Sequence, residues 1–109
     1  MSTILTTAGA TYLKENGFGG PFYVGLIEGS AATAGVSDTL TNHLWTESPI
    51  TRILFADAEI ILSQPLALGG LFLATTLDNT GILICVKKLT KQRVDGTIKI
   101  VPSLNLTGD

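Results

Sequence analysis

Residues 69–88 read GGLFLATTLDNTGILICVKK and give the strongest structural signal in this chain. Their centre, Asp78-Asn79-Thr80-Gly81, is typical of a chain reversal, because Asn and Gly accept left-handed backbone conformations and an Asp side chain bonds nearby backbone N–H groups. Apolar, β-rich residues precede and follow this reversal. The stretch therefore predicts a β-hairpin between two apolar strands.

Shorter strands are predicted on both sides of this hairpin. On its N-terminal side they cover residues 22–27, 51–55 and 59–62. On its C-terminal side, apolar and mainly polar residues alternate over 97–106, which indicates a half-buried antiparallel strand. Pro102 cannot donate a ladder hydrogen bond, so this strand is expected at an edge or with a bulge. Together these strands predict a mainly β fold, an antiparallel β-sandwich or a small Greek-key barrel.

The first 20 residues differ in character from the rest of the chain. They predict an N-terminal arm with a short helix, ahead of a β-sandwich domain over residues 21–109. Thr6 or Thr7 is suited to cap the helix, and Asn16-Gly17 is suited to end it. The glycines of 17–20 resemble a phosphate-binding loop only superficially, because Pro21 and a strand follow where such a loop needs a helix. A hinge is the better interpretation.

A long connection, Glu28 to Ser48, separates the first predicted strand from the next. It is rich in small and polar residues and shows no core pattern. Structureless stretches of this length are uncommon in compact domains, so a functional or partner-contacting loop is expected. Trp45, near its end, is expected to anchor the loop, because a large ring orders a loop at little entropic cost.

The composition predicts a subunit of an assembly. Hydrophobic residues make up 45% of the chain and charged residues 15%, against a usual charged share of roughly 25%. The mean hydropathy is +0.41. The longest apolar run, 66–74, is too short to cross a bilayer, and the N-terminus lacks the features of a secretory signal. We therefore expect a protein made in the cytoplasm that covers its apolar surface with other protein, itself included, as a trimer or dimer.

The charges argue against direct nucleic-acid binding, because the formal net charge is −2 and such proteins normally have a basic face. Most of the basic residues nevertheless cluster near the C-terminus. A solvated strand edge protected by lysines is the first interpretation, and a patch for an acidic partner or for nucleic acid is the alternative. The cluster consists of Lys87, Lys88, Lys91, Arg93 and Lys99.

Few residues are suited to catalysis. His43 is the only histidine, and a hydrogen-bonding role in a loop or interface is expected for it rather than metal binding or base chemistry with Ser37 or Ser48. Cys85, the only cysteine, is expected to be a buried, inert thiol. We therefore expect no enzyme activity, no cofactor and no metal.

Asp57 and Glu59 are two residues apart, which on a strand places both carboxylates on one face. A solvated face is the first interpretation, and calcium binding or acid–base use is the alternative.

Several segments, taken in chain order, resemble a family of small tailed-bacteriophage virion proteins. Leu5-Thr6-Thr7-Ala8-Gly9 resembles the "T-N-A-G" start of those proteins, and Phe22-Tyr23-Val24-Gly25-Leu26 resembles their first strand. His43-Leu44-Trp45-Thr46-Glu47 is similar to their "H-x-W-x-E" segment, with Arg52 and Phe55 in the places of a following "R…F". Residues 69–89 resemble their hairpin, and residues 95–100 with 104–106 resemble their closing strand. The similarity spans nearly the whole chain.

This resemblance implies a structural virion protein without a catalytic site. The leading hypothesis is a capsid decoration, or cement, protein that binds the outer capsid shell through the major capsid protein, with residues 1–20 reaching onto neighbouring subunits. The runner-up is a tail or neck component, fibre-like or an adaptor. A third hypothesis, a ligand-binding β-sandwich outside any virus, would use Trp45, Tyr23 and Phe22 as a stacking platform for carbohydrate.

Overall fold

The protein is mainly β, with one short N-terminal helix. The computed structural model describes residues 2–17, 19–49, 51–55, 60–62, 66–94 and 98–100. The helix α1 spans Thr7–Asn16. In chain order the strands are β1 Ser2–Leu5, β2 Tyr23–Glu28, β3 Thr46–Glu47, β4 Ile53–Leu54, β5 Ile60–Leu62, β6 Leu66–Ala74, β7 Leu83–Val94 and β8 Ile98–Ile100.

A six-stranded antiparallel sheet forms the body of the molecule. Its strand order is β1-β7-β6-β2-β3, and β4 also pairs with β2. The predicted hairpin is confirmed as β6 and β7, with Phe72 opposite Val86 and Leu73 opposite Cys85. Strands β5 and β8 form a separate two-stranded sheet. The two antiparallel sheets agree with the predicted mainly β, sandwich-like class.

Both faces of the six-stranded sheet are covered. On one face, Leu13 of α1 packs on residues that include Val24, Leu26, Leu71 and Leu73; we call this the helix-side cluster. The loop between β2 and β3 covers the other face, where the loop-side cluster consists of Ile27, Ala31, Ala34, Leu40, Trp45, Phe72, Ala74, Leu83 and Val86. The sequence of this loop shows no core pattern, yet Ala31, Ala34, Leu40 and Trp45 are buried in it.

Two glycines permit close packing that a side chain would prevent. The Phe72 ring lies over Gly25 on the neighbouring strand, where a Cβ atom would meet ring carbon at 2.2 Å. In α1, a Cβ atom at Gly9 would lie 2.2 Å from the carbonyl oxygen of Ile84. The helix therefore rests directly on the backbone of β7.

The helix prediction is confirmed, with Thr6 as the N-cap. The Thr6 hydroxyl accepts a hydrogen bond from the Gly9 N–H at 2.8 Å and donates to the Leu83 carbonyl at 2.5 Å. Thr6 is fully buried. Gly17 follows the helix with φ 75°, and its N–H donates to the Leu13 carbonyl. One threonine therefore both starts the helix and joins it to the sheet.

Strand β1 was not predicted. Residues 2–5 pair with β7 in register from Ser2–Lys88 to Leu5–Cys85. The division into an arm over 1–20 and a domain over 21–109 stays a prediction, but the described residues 2–17 pack on the sheet as an edge strand and a covering helix. Deleting them would remove part of the sheet.

The remaining strand predictions are confirmed with adjusted ends: 22–27 corresponds to β2, 51–55 to β4 and 59–62 to β5. Residues 98–100 of the final predicted strand form β8. Pro102 and the Asp95-Gly96 reversal lie outside the described residues.

Candidate functional site

The loop between β2 and β3 is fixed by an aromatic stack around Trp45. The Trp45 indole is 4% exposed and lies 5.1 Å from the Phe72 ring, centroid to centroid. The His43 ring stacks on the same indole, with ring centroids 3.7 Å apart and planes inclined by 10°. The predicted anchoring role of Trp45 is therefore confirmed.

Hydrogen bonds close the same loop on itself. Trp45 Nε1 donates to Asp38 Oδ2 at 2.9 Å, and the Gly35 N–H donates to the same oxygen at 3.1 Å. His43 Nδ1 lies 2.7 Å from the Trp45 carbonyl oxygen; since a carbonyl only accepts, Nδ1 carries the proton. The loop hydrogen-bonding role predicted for His43 is confirmed.

A buried arginine ties this loop to the β6–β7 turn. Arg52 Nε and Nη2 donate to the two carboxylate oxygens of Glu47 at 3.0 and 2.8 Å. Nη1 donates to the carbonyls of Thr76, at 3.1 Å, and Asp78, and Nη2 donates to Asn79 Oδ1 at 2.6 Å. The guanidinium also lies 5.0 Å from the Phe72 ring centroid, a cation–π distance.

The β6–β7 turn is ordered by its own side chains as well. Asp78 Oδ1 accepts from the Thr80 hydroxyl at 2.6 Å and from the Thr80 N–H at 3.0 Å. These bonds lower the pKa of Asp78 below its ordinary value of 3.8, and the bond from the Thr80 hydroxyl has the largest effect. They do so because they stabilise the ionised carboxylate.

An open groove of about 560 Å³ lies between α1 and residues 36–39. The Thr7 N–H donates to the Val36 carbonyl at 2.8 Å and so joins its two walls. Apolar and hydroxyl side chains dominate the lining, with two carboxylates. The lining residues are Thr7, Ala8, Thr11, Tyr12, Glu15, Val36, Ser37, Asp38, Thr39 and Ile82.

Three large apolar side chains are exposed among the described residues. Leu44 is 82% exposed, Val36 57% and Leu77 56%. Val36 lines the groove, and Leu77 lies in the β6–β7 turn. Leu44 lies between His43 and Trp45 in the sequence, and its side chain is exposed while theirs stack on each other.

The structure separates the other candidate residues. Ser37 is exposed in the groove, whereas Ser48 is buried and its N–H donates to the Leu26 carbonyl. Asp57 and Glu59 lie outside the described residues. Of the glycines at 17–20, Gly17 ends α1, and among the described residues from Gly19 onward the next element is the strand β2 rather than a helix.

The stacking platform for carbohydrate is a wrong prediction. Phe22 is 9% exposed and Trp45 4%, and they belong to the clusters on opposite faces of the sheet. The two rings therefore cannot share one ligand.

The lysine-edge interpretation is wrong for Lys87 and Lys88. Both lie on β7 where β1 pairs on one side and β6 on the other, so this part of β7 is interior to the sheet. The Lys88 ammonium lies 3.4 Å from the Ala32 carbonyl oxygen. The side chains of Lys91 and Lys99 lie outside the described part of the structure.

Cys85 has the environment expected of an inert thiol. It is fully buried, and burial raises the pKa of its thiol to about 12.

Sequence reasoning missed the roles of Asp38, Asn79 and the groove. One signal was present: Arg52 is isolated among apolar strand residues, which favours a buried partner, and Glu47 is five residues away. Within the described ranges no group of three or more His, Cys, Asp or Glu side chains is placed to hold a metal. Among those same residues, no helix has the length and apolar character needed to span a membrane.

No family model, curated protein or solved structure matches this chain.

Proposed function

We propose that this chain is a structural subunit of a tailed-bacteriophage virion, a capsid decoration protein that binds the outer shell and stabilises it through contacts with the major capsid protein. Two features support this proposal besides the resemblance of its segments to such proteins. The fold is mainly β and the chain has few charged residues. The loop between β2 and β3 is held by internal packing and hydrogen bonds, and it exposes the apolar side chain of Leu44.

The observation that carries the proposal is the presentation of Leu44. Its side chain is 82% exposed, while its two neighbours are fixed: His43 and Trp45 stack at 3.7 Å and share a hydrogen bond. Because the backbone of this loop is already ordered, the loop loses little conformational entropy when a partner buries Leu44. A rigid loop with an exposed leucine is thus suited to insert into a pocket on a shell subunit.

The proposal is tested by adding purified protein to shells that lack it and counting bound copies by quantitative mass spectrometry. Leu44→Asp is expected to weaken binding by about tenfold or more, because burying a leucine contributes roughly 1.5–3 kcal/mol and 1.4 kcal/mol corresponds to a factor of ten. The fold should be unchanged, since the side chain lies in water. Leu77→Asp is the matched control, an exposed leucine in a different loop, and should bind as the wild type does.

The copy number in purified particles distinguishes a decoration protein from the main alternative, a tail or neck component. Decoration requires hundreds of copies on each particle, whereas a tail or neck component would be present in a few to a few dozen. Wild-type protein that does not bind shells, or equal binding by both aspartate variants, would contradict the decoration proposal.

A further inference from the structure

One edge of the six-stranded sheet lacks the features that prevent pairing with another chain. Strand β1, Ser2–Leu5, is the outermost strand and pairs only with β7 among the described residues. Its sequence, Ser-Thr-Ile-Leu, has no charged residue and no proline. Natural proteins usually protect edge strands with lysine, proline, a bulge or very short length. Strand β1 has four continuous residues in regular register.

The opposite edge is protected. It consists of β3 and β4, each two residues long, which pair with different ends of β2. Glu47 in β3 contributes a charge that is engaged by the buried Arg52. The β3–β4 edge offers a second chain no continuous row of backbone N–H and C=O groups. Of these two edges, the β1 edge is therefore the one suited to pairing.

The register shows which backbone groups of β1 point outward. The Thr6 N–H donates to the Ile84 carbonyl at 3.0 Å, which makes Thr6 and Ile84 a hydrogen-bonded pair. Hydrogen-bonded and non-hydrogen-bonded pairs alternate along an antiparallel ladder. The backbone N–H and C=O groups of Ile4 therefore form hydrogen bonds with Val86 of β7. The N–H and C=O groups of Thr3 and Leu5 point away from the sheet.

We propose that this edge pairs with β1 of a second copy of the chain, antiparallel, about a two-fold axis at Ile4. Thr3 then lies opposite Leu5 of the partner subunit, and each such pair exchanges two hydrogen bonds. The symmetric interface makes four bonds in all and joins the two sheets into one.

A second copy fits because β1 is complementary to itself. Pairing about Ile4 brings the two Ile4 side chains together on the loop side and Thr3 against leucine on the helix side, with no like charges opposed. Ile4 and Leu5 are half-buried, at the borders of the loop-side and helix-side clusters respectively. Dimerisation would complete the burial of both, in the closed, two-fold form most common among homo-oligomers.

Thr3→Pro tests the interface selectively. It removes an outward N–H, and proline is tolerated at such edge positions, so the Ile4 and Thr6 bonds to β7 remain. Thr3→Val is the matched control, because it keeps the N–H and loses only the hydroxyl. By sedimentation equilibrium, wild type and Thr3→Val are expected to be dimers at concentrations where Thr3→Pro has half their mass. Unchanged near-ultraviolet circular dichroism from Trp45 checks the fold of each variant.

Hydrogen exchange of the wild type gives a second readout that needs no variant. In the dimer the amides of Thr3 and Leu5 should be as protected as that of Ile4. The proposal is overturned by a monomeric wild type, by a Thr3→Pro variant of unchanged mass, or by rapid exchange at Thr3 and Leu5 beside a protected Ile4. These measurements use the isolated protein, so they succeed or fail independently of shell binding.

Discussion

The Arg52 guanidinium and the Glu47 carboxylate form a two-point ion pair, with nitrogen–oxygen distances of 3.0 and 2.8 Å. The Arg52 side chain is 3% exposed and that of Glu47 28%. Three further oxygen atoms of the β6–β7 turn contact the same guanidinium. One arginine thus holds together strand β3, the segment before β4 and the central hairpin.

Removing the carboxylate should destabilise the fold, because it leaves a buried cation without its counter-ion. Breaking a fully buried pair costs roughly 3–5 kcal/mol. For Glu47→Ala we expect a loss of about 2 kcal/mol in the free energy of unfolding, less than that range because Glu47 is partly exposed and the turn oxygens remain. Urea denaturation measures it. Glu15→Ala, which removes an exposed carboxylate, is the control, and equal losses in both variants would contradict the role assigned to the pair.

Asp78 should make the β6–β7 turn sensitive to acid. Its pKa in the folded protein is below 3.8, because Thr80 donates two hydrogen bonds to the carboxylate. A lowered folded pKa means that the stabilisation is complete above the unfolded pKa and is lost as pH falls through the folded value. Carboxyl NMR titration should give a pKa below 3.8 that moves back towards 3.8 in Thr80→Ala.

Asp78→Asn provides the stability control for this prediction. Asparagine accepts the same hydrogen bonds and does not titrate, so the variant should lose less stability than the wild type on acidification below the ordinary aspartate pKa. Identical acid profiles for the two proteins would show that Asp78 contributes nothing to the pH dependence.

Gly9→Ala should lower stability although alanine is the better helix former. At an exposed helical position this change would stabilise by about 1 kcal/mol. Here the new methyl would lie 2.2 Å from the Ile84 carbonyl oxygen, a backbone atom that cannot rotate away. We expect a net loss of about 1–3 kcal/mol, as for other overpacked sites. Thr11→Ala, on the exposed side of α1, should change stability by under about 1 kcal/mol, and a thermal-melting series decides between the two outcomes.

The hairpin and the helix could be predicted from the sequence because their signals are local. The hairpin follows from Asp78 to Gly81 between apolar runs, and the helix follows from a threonine cap and a terminal glycine. These signals lie within a few residues of each other, so they need no distant partner.

Other features depend on contacts between residues that are far apart in the sequence, so they emerge only in the folded chain. Strand β1 exists because Leu5 meets Cys85 across 80 positions of sequence, and four residues contain too little periodicity to predict a strand. Residues 31–40 have the composition of a linker, yet Ala31, Ala34 and Leu40 are buried once the loop folds over Phe72. The position of Arg52 among apolar strand residues indicates a buried partner. The oxygen atoms that accept its hydrogen bonds belong to residues 47, 76, 78 and 79, which come together only when the sheet folds.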